Sequence, residues 1–96
     1  DREYFATLVR QAVEQHAELN AAFAPFVERN PALLDPIEHA VLLVAGVELR
    51  HSPQVPFRVV IDEAVGLARR FGATDGHKFV NAVLDRAARS WRPEER

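Results

Sequence analysis

An all-α fold, a compact bundle of about five helices, follows from three features of the chain. Apolar residues recur at three- and four-residue spacing along most of its length. Helix start and stop signals, above all Asp35-Pro36, Ser52-Pro53 and Gly72, punctuate those stretches. The connections between them are short, so successive helices pack as neighbours. Ninety-six residues make a single helical domain, 1–96, with one modest core.

The first helix carries the stripe Phe5, Leu8, Val9, Ala12 and Val13. A second, shorter stripe runs through Leu19, Ala22, Phe23, Phe26 and Val27, and Pro25 within it kinks the helix or opens a new turn. Asn30-Pro31 closes that segment. Asp35-Pro36-Ile37-Glu38 is a helix start: Asp35 caps, Pro36 suits the first helical position and Glu38 completes a capping box. Behind it, Ala40 to Val47 is apolar on every side, which predicts a central helix with Leu43 in the core. Arg50 and His51 suit its negative end, and Ser52-Pro53 stops it.

Pro56 permits a fresh start. The fourth helix places Ile61, Ala64, Val65, Ala68 and Phe71 on its core stripe and ends at Gly72, read as a left-handed cap. Thr74 or Asp75 caps the fifth, whose stripe is Phe79, Val80, Val83, Leu84, Ala87, Ala88 and Trp91, with Asp85 and Arg89 paired on its outer face. Pro93 ends it, and the last three residues are expected to fray.

The composition, 48% hydrophobic and 27% charged, excludes wholesale disorder. The longest apolar run, Ala40 to Val47, is far shorter than the roughly 18 to 20 residues of a membrane span. No cysteine is present, which removes disulfides, thiolate catalysis and cysteine-based zinc, and fits a cytoplasmic protein. Net charge is −2, too little for a whole-molecule grip on nucleic acid. From Arg69 onward, however, seven basic residues stand against four acids, while the rest of the chain is acidic. One end suits an anion and the remainder a basic partner.

Catalysis finds no support. Ser52 and Ser90 lack a nucleophile-elbow context, the four glycines form no phosphate loop, and the four histidines have no metal-ligand spacing. Neither a cofactor nor a metal is expected. The chemistry left over lies where one helix ends at Phe71-Gly72 and the next opens at Asp75-Gly76-His77-Lys78-Phe79. The free N–H groups of that start suit a phosphate. His77 and Lys78 are unfavourable for the helix itself in its first turn, which hints at a use elsewhere. An exposed ring at Phe71 or Phe79 would stack on an unpaired base, although core packing is the plainer reading of Phe79.

The run Pro56-Phe57-x-Val59-x-Ile61-x-Glu63-Ala64-Val65-x-Leu67-Ala68, then Phe71-Gly72, then Lys78-Phe79-Val80-Asn81-x-Val83-Leu84-Asp85 resembles the NusB family of bacterial transcription antitermination factors. Asp35-Pro36-Ile37-Glu38-His39-Ala40-Val41-Leu42, followed by Glu48-Leu49, is similar to that family's central helix. The likeness is dense from Asp35 to Ala88 and looser before Asn30; at Ala82 the chain departs from the family's usual glycine.

The resemblance implies two packed helical bundles, binding to boxA-like single-stranded RNA together with the small-subunit ribosomal protein NusE, and entry into the RNA polymerase antitermination complex. It places Asp75, Lys78 and Phe79, with Phe71 nearby, at an RNA-facing corner. It places Glu38 on the face that meets NusE, and gives Asn81 and Glu63 a structural role between helices. The family's arginine-rich start and two leading helices have no counterpart here, so the chain reads as the C-terminal two thirds of such a protein. Apolar area left uncovered would then favour self-association or marginal stability. The alternative within the same resemblance is the NusB-like protein-interaction or RNA-binding module appended to some RNA cytosine methyltransferases.

Overall fold

The computed structural model describes residues 1–28 and 34–95, and within them every regular element is helical. The helices are α1 (Arg2–Glu14), α2 (His16–Phe23), α3 (Pro36–His51), α4 (Phe57–Phe71) and α5 (Gly76–Trp91). Short 3-10 turns follow α2 at Ala24–Phe26 and α5 at Pro93–Glu95. Asn30-Pro31 and Arg96 lie outside the described residues. No helix among them is long and apolar enough to cross a membrane.

Helix α3 is the hub and packs against α1, α2, α4 and α5. Asp35 caps it, accepting from the N–H groups of Ile37 and Glu38 at 3.0 and 3.1 Å. The apolar run behind that cap faces two core clusters. Leu42, Ala45 and Leu49 join α4 and α5, whereas Val47 meets Leu8, Ala12 and Leu19 beneath α1 and α2. Contrary to what its composition predicts, the run is not covered on every side: Leu42 and Val47 are fully buried, but Leu43 and Val44 are half-buried and Ala40 is exposed, because α1 and α4 leave a groove over the face of Ala40 and Val44. Gly46 marks where α2 presses closest. A Cβ there would stand 2.7 Å from Cε2 of Phe23 and 3.2 Å from Cδ2 of Leu19.

Among the described residues the C-terminal tail does not fray, since Pro93–Glu95 forms a 3-10 turn. Arg92 is buried, and its guanidinium donates to the carbonyls of Leu49 (2.8 Å), Glu48 (3.0 Å), Ser52 (2.9 Å) and Val55. Several of these are the carbonyls that the end of α3 leaves without intrahelical partners, and the positive charge suits that negative helix end. Glu95 completes the arrangement, pairing with Arg92 at 3.0 Å and accepting from Phe57 N at the start of α4. A segment ended by Pro93 thus becomes the common cap of two helices.

The opposite side is less complete. Between α1, α3 and α4 lies an apolar groove of about 350 Å³. Phe5 (54% exposed), Val9, Ile37, Leu67 and Phe71 (57% exposed) all show surface along it. At its edge the Tyr4 hydroxyl donates to Glu48 Oε2 at 2.6 Å and lies 3.1 Å from Ser52 Oγ. Burial, together with Glu48, raises the Tyr4 phenol above its ordinary value.

Candidate nucleic-acid interface

The candidate site is the turn from α4 into α5. Arg69 and Arg70 occupy the last turn of α4, where positive charge complements the helix end. Gly72 then leaves the helix with φ −90° and ψ −175°, extended rather than left-handed as the sequence predicts. Its lack of a side chain matters for space instead: a Cβ would lie 2.7 Å from the Ala68 carbonyl oxygen and 3.2 Å from Glu38 Oε2. The left-handed residue of the turn is Asp75, with φ 65°, an uncommon conformation for a side-chain-bearing residue although Asp and Asn adopt it most readily. Asp75 holds the capping position of α5, yet its side chain makes no capping hydrogen bond.

That duty falls to a residue from another helix. Glu38 is only 6% exposed, and its Oε2 accepts from Ala73 N at 3.2 Å. The carboxylate lies against Gly76, the first residue of α5, so closely that a Cβ there would overlap it. Two expectations are corrected here. The Glu38 carboxylate crosses to the α4–α5 turn rather than closing a capping box with Asp35. The amino end of α5, read as a place for phosphate, already has a carboxylate beside it, which repels a second anion.

The other sequence-derived residues separate into outward and inward groups. Lys78 is exposed and pairs with Asp75 at 3.3 Å, with both side chains largely in solvent. Phe71, assigned to the core stripe by its spacing, is exposed, and the Arg70 guanidinium lies 5.2 Å from its ring centre. Phe79 is half-buried and packs against the main core cluster, as the plainer reading holds. The connection therefore carries an exposed aromatic ring, Phe71, with the Arg70 guanidinium over it, and a second exposed cation, Lys78, in the first turn of α5. Sequence reasoning missed Arg70, whose signal was its place beside Phe71 in a basic last turn. Asn81 is exposed, and Glu63, also exposed, borders the groove between α1, α3 and α4.

Three of the four histidines lie away from this turn, and His77 is in the first turn of α5. His39 Nε2 meets Asn20 Oδ1 at 2.7 Å and His51 Nε2 meets Gln15 Oε1 at 3.1 Å, both tying α3 to the region of α2. His16 Nδ1 lies 2.9 Å from the Val13 carbonyl oxygen.

Comparison with known proteins matches residues 1–89 to the NusB family. Curated relatives described as "Transcription antitermination protein NusB" include those of Aromatoleum aromaticum (47% identical), Pseudoalteromonas atlantica (48%) and Methylobacillus flagellatus (47%). Each alignment covers 95 residues, 99% of this chain, and respectively 66%, 68% and 62% of the relative. The chain thus spans about two thirds of the length of the relatives it matches. With the match running through all five helices and the turn described above, the chain belongs to the NusB family.

Proposed function

We propose that this chain is the RNA-facing part of a bacterial transcription antitermination factor acting in the cytoplasm. It binds boxA-type single-stranded RNA jointly with the ribosomal protein NusE, and the assembly joins elongating RNA polymerase. The observation that carries the RNA reading is the exposed Phe71 ring beneath Arg70, a few residues from exposed Lys78. Stacking on an aromatic face needs no base-specific groove, and with an overall charge of −2 the affinity rests on this local cluster. The acidic remainder of the chain suits a basic ribosomal partner. Phe71, Lys78 and Asp75 contact or face the RNA, while Phe79 supports them from the core. The role is one of binding rather than catalysis. The names of the relatives favour this reading over a module of an RNA methyltransferase.

Titration of the full-length protein with boxA-type RNA, with and without NusE, tests the proposal. Phe71→Ala is expected to lose about 1 to 3 kcal/mol of RNA affinity. Lys78→Ala is expected to weaken binding to all sequences and flatten the salt dependence by about one unit. Asp75→Asn retains a residue that tolerates the left-handed conformation, releases Lys78 from its ion pair and removes a charge that repels phosphate, so affinity is expected to rise. Unchanged binding by folded Phe71→Ala and Lys78→Ala variants would reject the turn as an RNA site.

A further inference from the structure

We infer that Glu38 is a positioning residue for the RNA-facing turn, a carboxylate on the central helix that holds the α4–α5 connection in the shape that presents Phe71 and Lys78. The inference rests on the RNA reading proposed above and extends it to a residue that does not itself meet RNA.

Three independent features converge on this carboxylate. It is buried, although a charged group leaves water only at considerable cost unless its surroundings compensate. The compensation comes from the turn: Ala73 N donates to Oε2 at 3.2 Å, and the carboxylate lies at the positive amino end of α5. Two glycines make room for it. A side chain at Gly76 would overlap it, and one at Gly72 would crowd it. Finally, Asp75 stands at the capping position with no capping bond from its side chain, in a left-handed conformation that must be maintained by its surroundings.

Glu38 thus takes over the electrostatic part of capping α5 from a position 35 residues upstream in sequence from Ala73. The Asp75 side chain is thereby left outside, where it meets the Lys78 ammonium rather than the backbone N–H groups of the helix start. Because Asp35 fixes the backbone of Glu38 at the first turn of α3, the turn is registered against the central helix and not merely against α4 and α5. Its consequence for binding is preorganisation: the aromatic face and the cation are presented together before RNA arrives.

The test uses the full-length protein, a boxA-type RNA oligonucleotide and amide hydrogen exchange. Glu38→Ala is expected to speed exchange at Ala73 and weaken RNA binding by about three- to tenfold. Glu38→Gln keeps an acceptor oxygen and is expected to restore most of that loss. Gly76→Ala drives a methyl group into the carboxylate and is expected to weaken binding likewise. The double variant Glu38→Ala/Gly76→Ala removes the overlap and is expected to bind better than Gly76→Ala alone, a non-additivity that general destabilisation does not produce. Circular dichroism confirms folding of each variant. Wild-type binding by folded Glu38→Ala, with weakened binding by Lys78→Ala, overturns the positioning role alone. Wild-type binding by both overturns the RNA reading and the positioning role with it. Additive losses in the double variant also overturn the inference.

Discussion

The seam between α4 and α5 and the groove between α1, α3 and α4 are built from the same kind of sequence and end in opposite states. Along the seam, Val80, Val83, Leu84, Ala87 and Ala88 are fully buried, and the tail locks the far end through Arg92 and Glu95. Along the groove, Phe5, Val9, Leu67 and Phe71 follow helical periodicity just as well, yet each keeps a large exposed fraction. The difference teaches that periodicity selects a face, whereas burial requires a second surface against it. Helix α4 shows both outcomes within one element: Val60, Ala64 and Ala68 are buried while Leu67 and Phe71 are not.

The sharpest way to break this comparison is a matched pair of leucine truncations. Leu84→Ala is expected to cost about 2 to 5 kcal/mol in a denaturant titration, because its cavity lies in closed packing. Leu67→Ala is expected to stay within about 0.5 kcal/mol. Equal losses at the two sites would mean that the groove is covered in solution. Exposed apolar area promotes association, so sedimentation of the 96-residue chain is expected to depend on concentration in the micromolar range and to lose that dependence with Leu67→Ser. A concentration-independent monomer would show that the groove does not self-associate.

A somewhat smaller effect tests what closes the seam. Arg92→Ala strips the carbonyls at the end of α3 of a charged donor, and about 2 to 3 kcal/mol is expected from hydrogen bonds of this kind. Glu95→Gln, which keeps an acceptor for Phe57 N, is expected to cost less. A neutral Arg92→Ala would return the tail to the frayed state that Pro93 suggests.

The smallest effect lies at the groove edge. Tyr4→Phe removes the hydroxyl bonded to Glu48 and is expected to cost about 1 kcal/mol. The folded Tyr4 phenol titrates above its unfolded value of 10.0, so the native state holds its proton more tightly. The resulting stabilisation is complete below about pH 10 and is lost as pH rises through the folded value. Alkaline denaturation of wild type and Tyr4→Phe should converge in that window; parallel curves would mean that Tyr4 contributes nothing to it.

Much of the candidate turn was legible from Phe71 to Phe79, because helix ends, basic last turns and aromatic neighbours are local signals. Their directions were not. Phe71 shares the spacing of Ala64 and Ala68 but lies at the end of α4, where the exposed groove leaves its ring more than half uncovered. Phe79, equally aromatic and equally close to the turn, packs inward because α3 and α4 stand beside α5.

By itself the sequence determined where helices begin and end, since capping and chain-breaking act over a few residues: Asp35 caps α3, Ser52-Pro53 follows its end, and Gly72 follows α4. It also determined which residues of each helix were apolar, and so which helix became the hub. Only the tertiary structure decided the long-range polar partnerships. Glu38 bonds Ala73, Arg92 bonds Leu49 and Glu95 bonds Phe57, each across more than 30 residues. A buried charge takes whatever donor or acceptor the packed neighbours bring to it, and no local pattern specifies which neighbours those are.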